Sequence, residues 1–155
     1  TPYDSLRRIF LALAMPTTLI IPFWLARSAT LATDFPTYVS AAEVAALNWL
    51  GQNTNHEDLI LIDYPMGNFL PRVAAAKSFT GHFHFTTNLL QKNRIVEQFW
   101  QPETSPEWRQ ALIETWGIDY IYQGAYERSL YGQPVDLPGD VVYEQGGVTI
   151  YRLSE

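Results

Sequence analysis

The fold is decided by residues 59–68, which read LILIDYPMGN. The first four side chains form an unbroken run of leucine and isoleucine, which is typical of a strand covered on both faces, as in a parallel sheet. Asp63 ends the run, and the proline, glycine and asparagine that follow indicate a turn over residues 64–68. This stretch therefore predicts a buried strand whose carboxyl end leads into a polar loop.

Helices and further strands are indicated on both sides of this strand. Ser40 and Glu43 have the spacing of a capping box, which predicts a helix that begins there and ends at Gly51. Gly146-Gly147 lies between two β-forming runs and predicts a hairpin. The other expected elements are a short helix over 69–76, a strand over 77–80, a helix capped by Thr87 or Asn88 and carrying Leu89 to Trp100, a helix from Ser105 to Gly117, a strand over 119–122, a loop rich in glycine and proline, and hairpin strands over 141–144 and 148–153.

This order of elements predicts a three-layer α/β fold. The sheet is expected to be mostly parallel, with an antiparallel C-terminal hairpin at its edge, and an apolar N-terminal helix precedes it.

Composition narrows the classes of function. The chain has 155 residues, with 10 lysines and arginines against 16 acidic residues, a formal net charge of -6 and no cysteine. Because a nucleic-acid surface needs clustered lysine and arginine, this charge argues against a nucleic-acid partner. The absence of cysteine excludes disulfides, thiol nucleophiles and cysteine-ligated zinc or iron–sulfur clusters.

A long apolar run lies near the start of the chain. Residues 9–26, between Arg8 and Arg27, are 18 uncharged residues, which is the lower limit for a helix that spans a bilayer. Residues 1–42 hold three arginines against two aspartates, whereas the rest of the chain holds seven basic against fourteen acidic residues. We therefore divide the chain into a membrane-adjacent lead-in helix and linker, residues 1–39, and a soluble α/β domain, residues 40–155. The linker itself is expected over residues 27–39, and a first residue other than methionine indicates further sequence upstream.

Three interpretations of the apolar run stay open. It could span a membrane or lie in its interface, since membrane helices tolerate proline and flanking arginines reach the headgroups. It could be a signal peptide that is cleaved near Ala29 or Ala32. It could also be a buried helix, or a contact with a second copy of the chain.

Polar residues follow the expected strands at the edge where open α/β sheets bind ligands. Asp63 and the turn after it could hold a sugar hydroxyl, or an anion through backbone N–H groups. The structural alternative is that Asp63 merely ends a strand and that Asn68 caps a helix. Glu127 and Arg128 follow a later expected strand and could form a local ion pair or a docking surface. The full set of candidate ligand-binding residues is Asp63, Gly67, Asn68, His82, His84, Glu127 and Arg128.

The two histidines offer a candidate metal site. His82 and His84 would share one face of an extended segment, with Asp63 as a third ligand from the neighbouring strand. Loop histidines more often make ordinary hydrogen bonds, so no metal and no cofactor is assigned. The sequence has no glycine-rich dinucleotide motif, no phosphate-binding loop and no nucleophile elbow, which disfavours nucleotide binding and a serine hydrolase triad.

An ordered set of short motifs resembles a family of membrane proteins. The set is Glu43 with Ala46-Leu47-Asn48-Trp49-Leu50, Gly67-Asn68-Phe69-Leu70-Pro71, Gly81-His82, Gly117-Ile118-Asp119-Tyr120-Ile121, Glu127-Arg128 and Val148-Thr149-Ile150-Tyr151-Arg152. From about Ser40 to its end, the chain resembles the carboxy-terminal, extracytoplasmic domain of bacterial multi-pass membrane proteins related to dolichyl-phosphate-mannose-type glycosyltransferases.

The resemblance implies that a bundle of membrane helices uses a lipid-phosphate sugar donor, and that this soluble domain lies on the outer face after the last span. Phe85 stands where the family has an acidic residue after the Gly-His pair. The family's catalytic acid lies in an early membrane loop that these residues do not include, so no catalytic residue is assigned.

We therefore expect the soluble extracytoplasmic domain of a membrane glycosyltransferase-like protein, either accessory or binding an acceptor or sugar, with catalysis in the membrane part. The expected partners are the membrane body of the parent protein and a sugar or lipid-linked sugar, and residues 9–26 offer a contact for a homo-oligomer. Two alternatives stay open. One is an autonomous soluble α/β domain that binds a small polar ligand or metal at the strand carboxyl ends, and the other is a purely structural, oligomerising module.

Overall fold

The computed structural model of the chain describes residues 2–31, 39–84, 86–131 and 137–153. The chain divides into two compact units, residues 1–38 and residues 39–155. Each unit is described on its own.

The first unit is a continuous helix over its described residues. It consists of α1 (Pro2–Met15), a π-helical segment (Pro16–Ile20) and α2 (Ile21–Leu31). Proline has no backbone N–H and crowds the preceding turn, and widened turns and hydroxyl hydrogen bonds are common adjustments around it. Such a bond is present here, because the Thr18 hydroxyl donates to the carbonyl oxygen of Ala14 over 2.8 Å.

The expected linker over 27–39 is wrong in its first part. Residues 27–31 belong to α2, where the Ser28 hydroxyl donates to the carbonyl oxygen of Trp24 over 2.8 Å. Alanine, arginine and leucine in this stretch favour helix, and no glycine or proline interrupts it. Residues 32–38 lie outside the described residues.

Within the described residues, the helix Tyr3–Thr30 is long and apolar enough to cross a membrane, judged by length and composition. None of its most apolar 18-residue window is buried. Phe10, Phe23 and Trp24 are 69%, 73% and 64% exposed. A core helix of a soluble protein would bury such side chains, and an exposed apolar surface of this kind is typical of contact with a bilayer or a partner.

The second unit contains the sheet and six short or medium helical elements among its described residues. Its helices are α3 (Ala41–Asn53), α4 (Tyr64–Gly67), a 3-10 turn (Leu70–Arg72), α5 (Leu89–Trp100), α6 (Pro106–Trp116) and α7 (Ala125–Tyr131). Its strands are β1 (Leu59–Leu61), β2 (Lys77–Ser78), β3 (Tyr120–Gln123), β4 (Asp140–Gln145) and β5 (Val148–Arg152).

The five described strands form one mixed sheet in the order β2-β1-β3-β5-β4. β1 lies between β2 and β3 and pairs with both in parallel. β5 pairs antiparallel with β3 and with β4. The α/β fold class and the antiparallel C-terminal hairpin are therefore confirmed, with the parallel pairing confined to one half of the sheet.

Helices cover both faces of this sheet. Leu61 and Ile121 point to the face where α5 and α6 pack, and they share a core with Phe99. On the opposite face, the Tyr120 hydroxyl donates to the carbonyl oxygen of Asn53 at the end of α3, over 3.5 Å. Each fully buried large apolar side chain of these layers contributes about 2 kcal/mol to stability.

The first helix of this unit begins as expected and ends later. The Glu43 N–H donates to the Ser40 hydroxyl over 3.2 Å, and the Glu43 carboxylate accepts from the Ser40 N–H over 2.9 Å, so the capping box is confirmed. Gly51 does not end the helix, which runs to Asn53. A Cβ at Gly51 would collide with the carbonyl oxygen of Val73, so glycine there permits a close approach of two backbones.

Three other local predictions need correction. The helix expected over 69–76 is only the 3-10 turn Leu70–Arg72, while the turn expected over 64–68 contains α4. Asn88 occupies the N-cap position of α5, but it has a left-handed backbone with φ 55° and makes no side-chain cap hydrogen bond. The loop expected after β3 contains α7. In its first turn, the Glu127 carboxylate accepts from the N–H of Gly124 over 2.9 Å.

Candidate functional site

The carboxyl ends of the three parallel strands lie at the same edge of the sheet, because β1 lies between β2 and β3 and pairs in parallel with both. The Thr80 hydroxyl after β2 donates to the carbonyl oxygen of Ile62 after β1 over 2.5 Å. A Cβ at Gly67 would collide with the carbonyl oxygen of Thr80, so the two loops pack backbone to backbone. Gly67 is therefore at the site as expected, but its role is to allow this close packing.

A polar cleft of about 550 Å³ opens beside these loops. This volume lies within the usual range of ligand sites. Two of the sequence-based candidates, Asn68 and His82, lie on its wall together. The complete lining is Asn68, Pro71, Ser78, His82, Thr86, Thr87 and Lys92.

Asn68 and His82 are each oriented by a backbone group. The Asn68 amide nitrogen donates to the carbonyl oxygen of Tyr64 over 2.8 Å. The Nδ1 atom of His82 accepts from the N–H of His84 over 3.3 Å. These side chains can offer hydrogen bonds to a polar ligand.

His84 is exposed, and its ring centroid lies 5.8 Å from that of His82. Among the described residues, no group of three or more histidine, cysteine, aspartate or glutamate side chains could hold a metal ion. Asp63 is not brought to the two rings as a third ligand, since its carboxylate accepts from the N–H of Tyr64 over 2.6 Å. In the described part of the chain, the histidine pair is therefore better suited to hydrogen bonding than to metal ligation.

Lys92 is the cation of the cleft. Its ammonium lies 4.8 Å from the ring centroid of Phe79 and 5.1 Å from that of Trp116. Partial burial lowers the pKa of Lys92 from its usual value, because the ammonium has lost part of its hydration. Cation–π contacts with two rings hold it in place.

Asp63 and Glu127 meet at the ends of β1 and β3. The backbone N–H of Asp63 donates to Oε1 of Glu127 over 3.3 Å, and the N–H of Gly124 donates to Oε2 over 2.9 Å. Glu127 is buried, with 1% of its surface exposed. It therefore ties together the two loops that follow these strands.

Burial is the largest cause of a pKa of Glu127 raised to about 7, and the charge of the nearby Asp63 carboxylate acts in the same direction. The backbone N–H groups of Glu127, Gly124 and Asp63 act in the opposite direction, because they stabilise the carboxylate.

Two tyrosines border the pair of Asp63 and Glu127. Burial, and then the charges of Asp63 and Glu127, raise the pKa of Tyr126. Burial and Glu127 raise the pKa of Tyr122, whose hydroxyl has no hydrogen-bond partner among the described residues.

Arg128 lies apart from this pair. Its Nη2 donates to the Thr149 hydroxyl on β5 over 2.7 Å, while its Nε is buried without a partner among the described residues. The described residues contain no ion pair between Glu127 and Arg128. The expected local ion pair is therefore wrong, because Glu127 binds backbone N–H groups instead.

For Asp63 and Asn68, the structure supports in part the structural alternative of helix capping. Asp63 is the N-cap of α4, and Asn68 occupies its C-cap position. Asn68 also lines the cleft, so capping and ligand contact are compatible there.

Sequence reasoning missed the cleft residues Pro71, Ser78, Thr86, Thr87 and Lys92. Only Lys92 carries a visible signature, as a basic residue near the start of a helix whose first turn has no acidic side chain. The hydroxyl residues carry none, because threonine and serine are ordinary loop residues.

No protein-family model, no curated protein and no solved structure matches this chain.

Proposed function

We propose that residues 39–155 are the extracytoplasmic domain of a membrane glycosyltransferase-like protein, and that this domain binds a sugar or a sugar-bearing acceptor in the cleft. Catalysis resides in membrane-embedded parts of the parent protein. The partners are that membrane body and a sugar or lipid-linked sugar, and no nucleic acid. The observation that carries the binding role is the polar cleft at the carboxyl ends of the parallel strands.

The exposed apolar helix Tyr3–Thr30 supports membrane attachment. Its 18 central uncharged residues, 9–26, would extend about 27 Å as a helix, against roughly 30 Å of bilayer hydrocarbon. Arg8 and Arg27 at the two ends of this run suit headgroup depth. An autonomous soluble domain would leave the same surface in water.

The distribution of arginines favours an outer position for the second unit. Arg7 and Arg8 precede the apolar run and Arg27 follows it. The next lysine or arginine after Arg27 is Arg72. Lysine and arginine are enriched in the cytoplasmic loops that flank membrane spans. The N-terminal end of the helix is therefore the cytoplasmic end in this proposal.

The chemistry of the cleft supports a hydroxyl-rich ligand. Ser78, Thr86 and Thr87 supply hydroxyls that both donate and accept, and Asn68 supplies an amide. Such groups can pair with the many hydroxyls of a sugar. The other two described clefts suit a sugar less: one has mainly apolar walls around Val44, Leu47 and Val73, and the other lies along α6, away from the strand ends.

A matched pair of asparagine variants tests the binding role. Asn68 and Asn53 each donate from the side-chain amide to the carbonyl oxygen four residues earlier over 2.8 Å, but only Asn68 lines the cleft. Glucose and mannose are titrated into the 15N-labelled chain in a detergent without a sugar headgroup, and amide shifts are followed by NMR.

We expect saturable shifts at Ser78, His82 and Thr87. Asn68→Ala should weaken binding by about tenfold, the cost of about one good hydrogen bond, whereas Asn53→Ala should leave it unchanged. An absence of saturable shifts at the cleft, or an equal effect of the two variants, would contradict the proposal.

A further inference from the structure

Among the residues that the structure describes, Lys92 is a cation without an acidic partner. Its ammonium contacts two aromatic rings and forms no ion pair with any residue in the described ranges. Lysine at a protein surface normally remains hydrated or approaches a carboxylate. Here the charge is held by rings, which attract a cation but do not neutralise it.

The position of Lys92 in its helix adds to the local positive potential. The residue lies at the start of α5, where unpaired backbone N–H groups give the helix a partial positive charge. The first turn contains no acidic residue, and Asn88 supplies no side-chain cap. A cation at this end is electrostatically unfavourable until an anion joins it.

The described walls of the cleft contain no carboxylate. Their seven residues include the bases Lys92 and His82 and no aspartate or glutamate, although acidic residues outnumber lysine and arginine by 16 to 10 in the chain. As far as the structure describes it, the cleft is therefore a non-acidic site on an acidic protein, with no wall residue that would repel an anion.

We propose that the ligand of this cleft carries an oxyanion, a phosphate or a carboxylate, that binds the ammonium of Lys92. This inference rests on the proposed function, in which the cleft binds a sugar, and it specifies the class of that sugar. The oxyanion occupies the Lys92 end, and the hydroxyls of Ser78, Thr86 and Thr87 pair with the sugar ring. Lysine binds either oxyanion as a point charge, so both sources fit the same geometry.

The experiment compares one sugar with and without an anionic group. Dissociation constants of glucose, glucuronate, glucose 6-phosphate and inorganic phosphate are measured at low salt by NMR titration of the full chain in a zwitterionic detergent. The variants are Lys92→Gln, Lys92→Arg and the control Arg94→Gln. Arg94 is exposed on the same helix and does not line the cleft, so its loss changes the net charge by the same amount.

We expect glucuronate, glucose 6-phosphate or both to bind at least tenfold more tightly than glucose, and the tighter of the two identifies the oxyanion. Lys92→Gln should reduce this preference to below twofold, and unchanged amide shifts outside the cleft report an intact fold. Lys92→Arg and Arg94→Gln should keep the preference.

Equal binding of neutral and anionic sugars would overturn the inference and leave the proposed function standing. So would the same loss in Arg94→Gln, because the effect would then be one of net charge. Saturable binding of inorganic phosphate at Lys92 without binding of any sugar would support the anion site and remove the sugar-binding role. Binding of none of the four probes would overturn both.

Discussion

The backbone N–H of Asp63 donates to the carboxylate of Glu127 over 3.3 Å, although 64 positions separate the two residues. This hydrogen bond joins the loop after β1 to the helix after β3. Because Glu127 also accepts from Gly124, one buried carboxylate holds the edge of the sheet at which the cleft opens. The titration of that carboxylate should therefore be visible in the stability of the second unit.

Glu127→Gln should reduce the dependence of unfolding free energy on pH. The pKa of Glu127 is raised to about 7 in the folded chain, against about 4.3 when unfolded. The folded state thus binds more protons at Glu127 between these values, so the contribution of this carboxyl to stability is largest below about pH 4 and falls as pH rises to 7, by on the order of 3 kcal/mol. Urea unfolding followed by tryptophan fluorescence at pH 5 and pH 8 checks this. Glu114→Gln, at an exposed position, should keep the wild-type slope, and a wild-type slope in Glu127→Gln would show that Glu127 is not the group responsible.

Arg109→Met should destabilise the second unit by about 3 kcal/mol. The buried guanidinium donates from Nε to the carbonyl oxygen of Phe99 over 2.8 Å and from Nη2 to that of Gln101 over 2.7 Å, at the end of α5. Hydrogen bonds to charged groups contribute about 1.5–3 kcal/mol. Methionine removes both of these bonds, although the carbonyl oxygen of Gln101 still accepts from the N–H of Thr104 over 3.1 Å. Denaturant unfolding measures the loss. Arg94→Met on the exposed side of α5 should change stability by less than about 0.5 kcal/mol, and equal losses would contradict the assignment.

Gly67→Ala should destabilise the loops at the site. An added Cβ would collide with the backbone of Thr80, and overpacking of this kind costs about 1–3 kcal/mol. Sugar binding should weaken as well, since Asn68 follows directly. Thermal unfolding and the glucose titration measure the two effects, and a variant that is as stable as wild type would show that the loops can separate without cost.

Local chemistry made part of this fold predictable. The capping box of Ser40 and Glu43 involves two residues three apart, and the hairpin at Gly146-Gly147 depends on two adjacent glycines, so a short window contains all the information. α7 carries a weaker signature of the same kind, because Gly124 and Glu127 form half of a capping box and glycine is an acceptable N-cap residue. It was missed because the other half is absent.

The site itself depends on contacts between distant segments. Lys92 lies on α5, Asn68 follows α4 and Ser78 is in β2. The parallel pairing of β1 and β2 and the packing of α5 on the sheet bring these segments together. The sequence predicted the edge of the sheet at which they meet, through Asp63, Asn68 and His82. It did not predict the role of Lys92, because a lysine on an amphipathic helix normally faces solvent.

We propose that the second unit lies outside a membrane that the helix Tyr3–Thr30 crosses, and single cysteines test this most directly. The chain contains no cysteine, so Ser5→Cys and Glu103→Cys, both at exposed positions, each create a single reactive thiol. Spheroplasts that express the protein are treated with a membrane-impermeant maleimide, with the wild-type chain as the unlabelled control. We expect Glu103→Cys to be labelled in intact spheroplasts and Ser5→Cys to be labelled only after the membrane is permeabilised. The reverse pattern, labelling of both variants in intact spheroplasts, or recovery of the chain in the soluble fraction would contradict it.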